Sequence, residues 1–364
     1  MLIAELRKTW SRPLVAAAFV LVCLAQVFYG LANFDADDRT VGDAWNRFGE
    51  AMDETWKTSV YEQYGRLWPT PPVTQDEVFK ATPEQRAILA ALDYTAFTQR
   101  LDTVVEGLKA HYGADPDFDP ALAERPYAGL RAASENGELI FGISLFGSSM
   151  SSQYMVTWGF LIFMILLCAD QFSGEKTVGM TSMQAVAKGG RRKLYWTKFQ
   201  VCQISALAVW IVANICCALT LLVCYGPGNL KSVVQDFTYN ACPYSWNTGE
   251  FMAVVLTVSL TVSQLVAVVI FLQARMSSRI QKSFAMMGCI LLLPYLIASQ
   301  TGLLGIALWL PCLMHGSWLW QGLIYWKLFG IYVQPWMLAA VEVLVIAVIC
   351  VFALLRFARR ADEC

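Results

Sequence analysis

The chain alternates between long unbroken apolar runs and polar segments. A helix needs about 20 apolar residues to cross the roughly 30 Å hydrocarbon layer of a membrane. Five apolar runs approach or exceed that length, and they occupy residues 13–33, 151–169, 201–225, 251–273 and 335–357. The pattern predicts an all-α, polytopic membrane protein.

A sixth apolar block, 283–315, does not fit a single span. As one helix it would be roughly 48 Å long, whereas two crossings would leave only about 15 residues each. Pro294, Gly302, Gly305 and Pro311 interrupt it. Broken backbone at membrane depth is tolerated where protein packs around it. We therefore expect one span to about residue 299 and a re-entrant hairpin near 300–315, which makes six spans.

The N-terminus combines a short basic segment with the first apolar run. Residues 1–12 carry Arg7, Lys8 and Arg12 beside apolar residues at helical spacing, which predicts an interfacial elbow helix on anionic lipid. A plain charged flank is the alternative. The run 13–33 is longer than the core of a signal peptide and no small-residue cleavage site clearly follows it, so we interpret it as a retained first span.

Residues 34–149 form a separate polar region with 20 Asp/Glu and 10 Lys/Arg, a net charge of −10. Apolar residues recur at helical spacing from Trp45 to Tyr64 and again from Ile88 to Leu108. Thr82-Pro83-Glu84-Gln85 is a helix-start signal, and Gly113 is a stop signal. Shorter helices are predicted to start at Pro120 and Tyr127. The region is expected to be a helical extracellular domain.

The distribution of cations predicts the orientation. The segments assigned to the inside hold 15 Lys/Arg, six of them between Asp170 and Gln200, whereas the short outside loops hold only Lys231 and Lys327. Positive charge favours the cytoplasmic side, so both termini and the 170–200 loop are expected in the cytoplasm of a cell-membrane protein. Five tryptophans cluster on the opposite side, as in an aromatic belt: Trp309, Trp318, Trp320, Trp326 and Trp336.

The residues needed for catalysis or metal binding are sparse. There is no Gly-x-x-x-x-Gly-Lys-Ser/Thr motif, so the chain itself is not expected to bind ATP phosphates. The only histidines are His111 and His315, and no His-Cys-carboxylate cluster exists, which argues against an intramembrane enzyme. Asp115-Pro-Asp117-Phe-Asp119 lacks the glycine and glutamate of a calcium loop and is expected to be a solvated acidic turn. No cofactor, metal or nucleic acid is expected on this chain.

A few polar residues lie inside the predicted spans. Glu342 is the one acid well within a span, and such carboxylates usually face a cavity or a partner. Glu342, Gln264 and Asn214 are candidates for a translocation path, with a structural role as the alternative. Gln26, Asn214 and Gln264 are also candidates for interhelical hydrogen bonds.

Eleven cysteines are present, and most lie in apolar runs. Their spacing matches neither a zinc site nor a disulfide framework, so packing is the expected role. Cys242 and Cys312 both fall in predicted outer loops, and a bond between them is the alternative.

The loop 170–200 carries the most informative pattern. It resembles the cytoplasmic loop of ABC transporter permeases of the type-2 exporter family, which has Phe-x-x-Glu, Gly-Thr/Met, a short helix, a Gly-Arg element and a Lys entering the third span. The matching residues are Phe172, Glu175, Gly179-Met180, Gly190-Arg191 and Lys198. The resemblance extends to the elbow, six spans, outer domain and re-entrant hairpin. Ala187-Lys188-Gly189 replaces the usual Thr-Pro.

The resemblance implies a function as the membrane subunit of an ATP-driven exporter. A coupling helix, Gly179 to Ala187, would dock on a separate ATPase subunit that binds ATP and Mg²⁺, with Glu175 and Arg191 beside it. A second permease copy or a paralogue would complete the path.

The residues themselves also favour a docking helix at this point. Met180, Met183 and Val186 at three-residue spacing form an apolar ridge that fits a groove on a partner. A helix that lies on lipid is the alternative. The acidic domain suits a cationic substrate such as an antimicrobial peptide. The competing hypothesis is a sensor or scaffold whose extracellular domain binds a ligand and signals to a cytoplasmic partner.

Overall fold

The fold, taken from a computed structural model, is mostly helical. The structure describes residues 1–32, 97–136, 138–140, 145–152, 154–169, 190–236, 242–276, 280–294, 310–314, 316–320 and 324–363, and the single positions 34, 36, 39, 40, 43, 171, 296 and 297. The helices are α1 (Leu2–Trp10), α2 (Pro13–Ala32), α3 (Phe97–Tyr112), α4 (Ala121–Glu135), α5 (Leu145–Ser152), α6 (Tyr154–Ala169), α7 (Gly190–Tyr225), α8 (Thr248–Met276), α9 (Ile280–Met287), α10 (Leu310–Met314) and α11 (Pro335–Glu363). Two short strands, β1 (Trp326–Leu328) and β2 (Ile331–Val333), precede α11.

Four helices in the described part of the chain are long and apolar enough to cross a membrane, namely Pro13–Ala32, Arg192–Tyr225, Thr248–Met276 and Pro335–Arg359. The chain is therefore a multi-pass membrane protein. The predicted second span, 151–169, is represented by α6, whose apolar part, Met155–Ala169, is shorter. The predicted fifth span contains α9 and a π-helical turn, Gly288–Leu292. The count of six spans thus stays a prediction, as does the re-entrant hairpin, since residues 298–309 lie outside the described part.

Helix α2 packs closely on two neighbours because small residues lie at the contacts. A Cβ atom on Gly159 of α6 would lie 2.8 Å from Val22 Cγ1, and one on Gly30 would lie 2.7 Å from Thr220 Cγ2 of α7. Beside Gly159, Gln26 Nε2 donates to the carbonyl of Met155 at 3.0 Å. This confirms the interhelical bond predicted for Gln26. Small residues and buried amides are the usual contacts between membrane helices.

The main hydrophobic core lies between α6, α7 and α8. Phe160, Phe163 and Phe271 are fully buried in it. Because the basic segment 170–200 connects α6 to α7, we call that end of the bundle the loop end. The opposite end, where α3 and α4 lie, is called the domain end.

Helices α3 and α4 pack against each other at the domain end. Leu101 and Val105, which belong to the predicted apolar stripe, are buried against Tyr127 and Leu130. The predicted helix start at Pro120 is confirmed, because Pro120 is the N-cap of α4, but the second start predicted at Tyr127 was wrong. A single helix runs through Pro126, whose missing N–H removes one backbone bond.

The strands β1 and β2 form an antiparallel hairpin that the all-α prediction did not include. Trp326 pairs with Val333, and Leu328 pairs with Ile331. The two turn residues, Phe329 and Gly330, have φ of 51° and 82°. Two successive positive φ values are typical of the tight turn whose twist matches a β-hairpin.

Candidate functional site

The residues predicted to dock on a partner lie almost wholly outside the described part of the chain. These are Glu175, Gly179, Met180, Met183 and Val186. Arg191 is described only as backbone, in the first turn of α7. The candidate site that the structure does describe is the base of the loop, formed by Gln171 at its start and by the first turns of α7 at its end.

Lys198 joins the two ends of the loop. This lysine is only 5% exposed, and its Nζ donates to the backbone carbonyl of Gln171 at 3.1 Å. The side chain of Gln171, itself buried, donates from Nε2 to Thr9 Oγ1 of α1 at 3.2 Å. A buried ammonium requires such acceptors because burial otherwise disfavours its charge. Lys198 therefore fixes the start of the loop to α7, and Gln171 fixes it to α1.

Helix α1 is held against the same place by a second set of contacts. Trp10 Nε1 donates to Ser205 Oγ of α7 at 3.1 Å. The Trp10 ring lies edge-on to Phe19 of α2, with centroids 5.1 Å apart, and 5.8 Å from Phe163 of α6. Aromatic pairs in this geometry are worth about 0.5–1.5 kcal/mol beyond their buried area. Trp10 thus connects α1 with three other helices.

At the loop end, a cation from α8 contacts aromatic rings of both α7 and α11. The Arg275 guanidinium carbon lies 4.6 Å from the centre of the Tyr195 ring of α7 and 5.6 Å from that of Phe357 of α11. Both distances are within the range of a cation–π interaction. Tyr195 is buried, and its ring also contacts Phe271 of α8. A displacement of the first turns of α7 would therefore change contacts with both α8 and α11.

The three candidates for a translocation path are not bonded to one another in the described part of the chain. Asn214 is buried, and its Nδ2 donates to Trp210 of its own helix at 2.8 Å. Gln264 Nε2 is buried, and no acceptor for it lies among the described residues. Glu342 is half-buried in α11. Among the described residues no hydrogen bond or ion pair joins these three side chains, so their shared path stays a prediction.

The polar contact between α7 and α8 involves residues that the sequence analysis missed. Trp210 Nε1 donates to Ser259 Oγ at 3.1 Å, and Cys168 and Cys202 of α6 and α7 have sulfur atoms 3.4 Å apart. Ser259 could have been found as a polar residue on the buried face of an apolar helix. The pairing of Trp10 with Ser205, 195 residues apart, has no local signal.

At the domain end, α3 and α4 are attached to the hairpin that leads into α11. Lys327 Nζ lies 2.6 Å from Asp115 Oδ2 and 2.8 Å from Asp117 Oδ2. Tyr332 donates its hydroxyl proton to Asp115 at 2.6 Å. We call these four residues the clasp. The acidic turn was predicted to be merely solvated, but the structure pairs it with Lys327.

Tyrosines reinforce the clasp. The Tyr112 hydroxyl accepts from the backbone N–H of Tyr325 at 2.9 Å, and the Tyr325 hydroxyl donates to the carbonyl of Leu122 at 2.8 Å. Tyr325 is buried with Phe118 in the same cluster as α3 and α4. The hairpin is therefore packed into the core of the two-helix unit.

Replacing Lys327 by methionine should loosen the clasp, because both aspartates lose their cation. We expect amide exchange in residues 324–333 to rise about two- to fivefold, the size typical of exposed ion pairs. Hydrogen–deuterium exchange with mass spectrometry measures this. Lys231→Met is the matched control, since Lys231 is an exposed lysine at the same end. Equal amide exchange in the two variants would show that the ion pairs do not stabilise the hairpin.

The clasp should also respond to pH in a defined window. Hydrogen bonds from Lys327 and Tyr332 lower the pKa of Asp115 from 3.8 to about 2. A carboxyl group with a lowered pKa stabilises the folded state above its ordinary pKa and loses that effect as the pH falls through the folded value. Exchange at the Tyr325 amide, corrected for its intrinsic pH dependence, is expected to be flat from pH 5 to 9 and to rise between about pH 4 and pH 2. A rise near pH 6 would contradict this assignment.

The remaining cysteines and carboxylates do not form a metal site in the described part of the chain, where no group of three His, Cys, Asp or Glu comes together. Cys242 and Cys312 are free thiols in separate hydrophobic clusters, so the pairing considered as an alternative is not formed. Comparisons with family models, curated proteins and solved structures gave no match for this chain.

Proposed function

We propose that the chain is the permease subunit of an ATP-binding cassette exporter, powered by ATP hydrolysed on a separate subunit. The segment 170–200 would be its cytoplasmic coupling loop, with both termini on the same side of a cell membrane and six spans in all. Two permease halves, identical or paralogous, would enclose the path. The proposal rests on the likeness of the loop sequence to that of type-2 exporters.

The structural observation that supports the proposal is the buried bond between Lys198 and Gln171. A loop that receives force from an ATPase must be attached firmly to the helices that move. Lys198 and Gln171 attach the start of this loop to α7 and α1. Arg275 of α8 links the first turns of α7 to α11. A loop that only lay on lipid would not need a buried cation at its base, where an unpaired charge is costly.

Co-purification tests the proposal. The chain, tagged and extracted in mild detergent from its native host, is expected to bring down a protein that hydrolyses ATP. The double variant Met183→Glu and Val186→Glu should lose that protein, because charges on the apolar ridge oppose its insertion into a groove. Met276→Glu is the matched control, since Met276 is 69% exposed at the loop end of α8. Retention of the ATPase by the double variant, or its absence throughout, would count against the proposal.

The clasp favours a second candidate, a membrane sensor. It attaches α3 and α4 to the hairpin directly before α11, which is a route from an extracellular ligand to a membrane helix. Tyr325→Phe, which removes the bond to Leu122, distinguishes the two. A sensor would lose its response to ligand while its cytoplasmic partner stayed bound, whereas an exporter would show altered transport with an intact ATPase complex.

A further inference from the structure

An apolar groove lies between α8, residues 310–314 and 316–320, and α11. Its volume is about 230 Å³. Apolar atoms make up nearly all of its lining. The lining residues are Thr257, Val258, Thr261, Val262, Leu313, Leu319, Trp320, Trp336, Ala339, Ala340 and Val343. The groove lies apart from the loop end, and neither Glu342 nor Gln264 lines it.

The two threonines do not make the groove polar. Thr257 donates its hydroxyl proton to the carbonyl of Ala253 at 2.8 Å, and Thr261 donates to Thr257 at 2.9 Å. Both hydroxyls are therefore occupied by their own helix, four residues back, as is common for threonine within helices. A ligand in this groove meets almost no free hydrogen-bonding group and must be a hydrocarbon.

The volume limits how much hydrocarbon the groove holds. About eight groups the size of a water molecule, at ~30 Å³ each, fill it. That corresponds to part of a single unbranched chain.

The groove lies at a depth where the acyl chains of membrane lipids are present. Ala339 and Val343 lie about 6 and 12 Å along α11 from its start at Pro335, within the half of the bilayer at the domain end. On the other face of this helix, Val341 is 58% exposed and Leu344 is 64% exposed. Helix α11 therefore has one face on the groove and another on the exposed apolar surface of the bundle.

The domain end of the groove is marked by two tryptophans. Trp336 and Trp320 stack with ring centroids 5.9 Å apart. Trp336 donates its indole proton to Gln334, whereas the buried N–H of Trp320 has no acceptor among the described residues. Tryptophan favours the depth at which the ester carbonyls of phospholipids lie.

We propose that this groove holds one acyl chain of a phospholipid from the leaflet at the domain end. The lipid would fill the space between α8 and α11 and act as part of their packing. The proposal does not depend on the chain being an exporter. It predicts a lipid that stays with the protein when the bulk bilayer is removed.

Photo-crosslinking tests the site. The full chain is placed in phosphatidylglycerol nanodiscs that contain a small fraction of phosphatidylglycerol with a diazirine at the end of one acyl chain. After irradiation, the peptide that carries Thr257 and Thr261 should be labelled. Ala340→Trp fills the groove and should reduce that labelling at least severalfold. Val345→Trp is the matched control, because Val345 lies on the opposite face of α11, is 50% exposed, and leaves the groove open.

A second measurement distinguishes loss of the lipid from misfolding of the tryptophan variant. Native mass spectrometry in detergent should show one retained phospholipid on the wild type and on Val345→Trp, and none on Ala340→Trp or on the milder Ala339→Leu. Equal labelling in Ala340→Trp and Val345→Trp would overturn the proposal. A wild type with no retained phospholipid would also overturn it, and would point to residues 298–309 or detergent as the occupant.

Discussion

Replacing Gly159 by leucine is expected to prevent α2 and α6 from packing and to cause a large loss of stability. A Cβ atom alone would come within 2.8 Å of Val22 Cγ1 and 3.2 Å of Gln26 Nε2. Val22 is buried and branched, so it has little room to rotate away. Overpacking of this kind costs about 1–3 kcal/mol, and loss of the bond from Gln26 to Met155 adds about 0.5–1.5 kcal/mol.

The expected result is a clear fall in the temperature at which the protein aggregates in detergent, together with a lower yield of monodisperse protein. Size-exclusion chromatography after heating measures both. The matched control is Gly107→Leu, since no atom lies within 4 Å of a Cβ placed on that helical glycine. If the two variants lose stability equally, the close contact between α2 and α6 does not exist.

Replacing Lys198 by methionine is expected to detach the start of the loop from α7. The substitution preserves most of the side-chain volume but leaves the Gln171 carbonyl without this donor. A buried acceptor that loses its donor costs about 1–3 kcal/mol. Since 1.4 kcal/mol corresponds to a factor of ten, opening of the loop base should become about 5- to 150-fold more frequent.

Limited trypsin digestion measures this opening, because Arg191 and Arg192 lie at the start of α7. Cleavage after these arginines should accelerate in Lys198→Met, and Lys198→Arg, which keeps a donor, should restore part of the protection. Lys193→Met is the control, since Lys193 lies on the same helix and is exposed. Unchanged cleavage in Lys198→Met would mean that the buried contact does not hold the loop.

The membrane helices were predictable because their signal is local. The run from Pro13 to Ala32 is long, uninterrupted and uncharged, and the structure begins α2 at the proline, whose missing N–H is harmless in a first turn. For the hydrogen bond from Lys198 at the loop end, the donor could be predicted but not the acceptor. Lys198 could be singled out from the resemblance, but its acceptor could not, because a backbone carbonyl has no sequence signature. Thr9 and Gln171 lie 162 positions apart.

The hairpin before α11 was missed because its strands have only three residues each. The aromatic and β-branched residues between Tyr325 and Val333, with Gly330 at the turn, were the available signal. Phe329 argued against a tight turn at this position, because a bulky residue rarely takes positive φ. The pairing of Asp115 with Lys327, 212 positions away, depends on this hairpin and could not be inferred without it.

The most direct test of the proposed function is a crosslink from the predicted coupling helix itself. A benzophenone amino acid is incorporated at Met183, and at Met276 as the exposed control at the same end, in cells that express the chain with its genomic neighbours. We expect an ultraviolet-dependent adduct from position 183 to an ATP-binding protein and none from position 276. Adducts to lipid alone from position 183, or equal adducts from both positions, would contradict it.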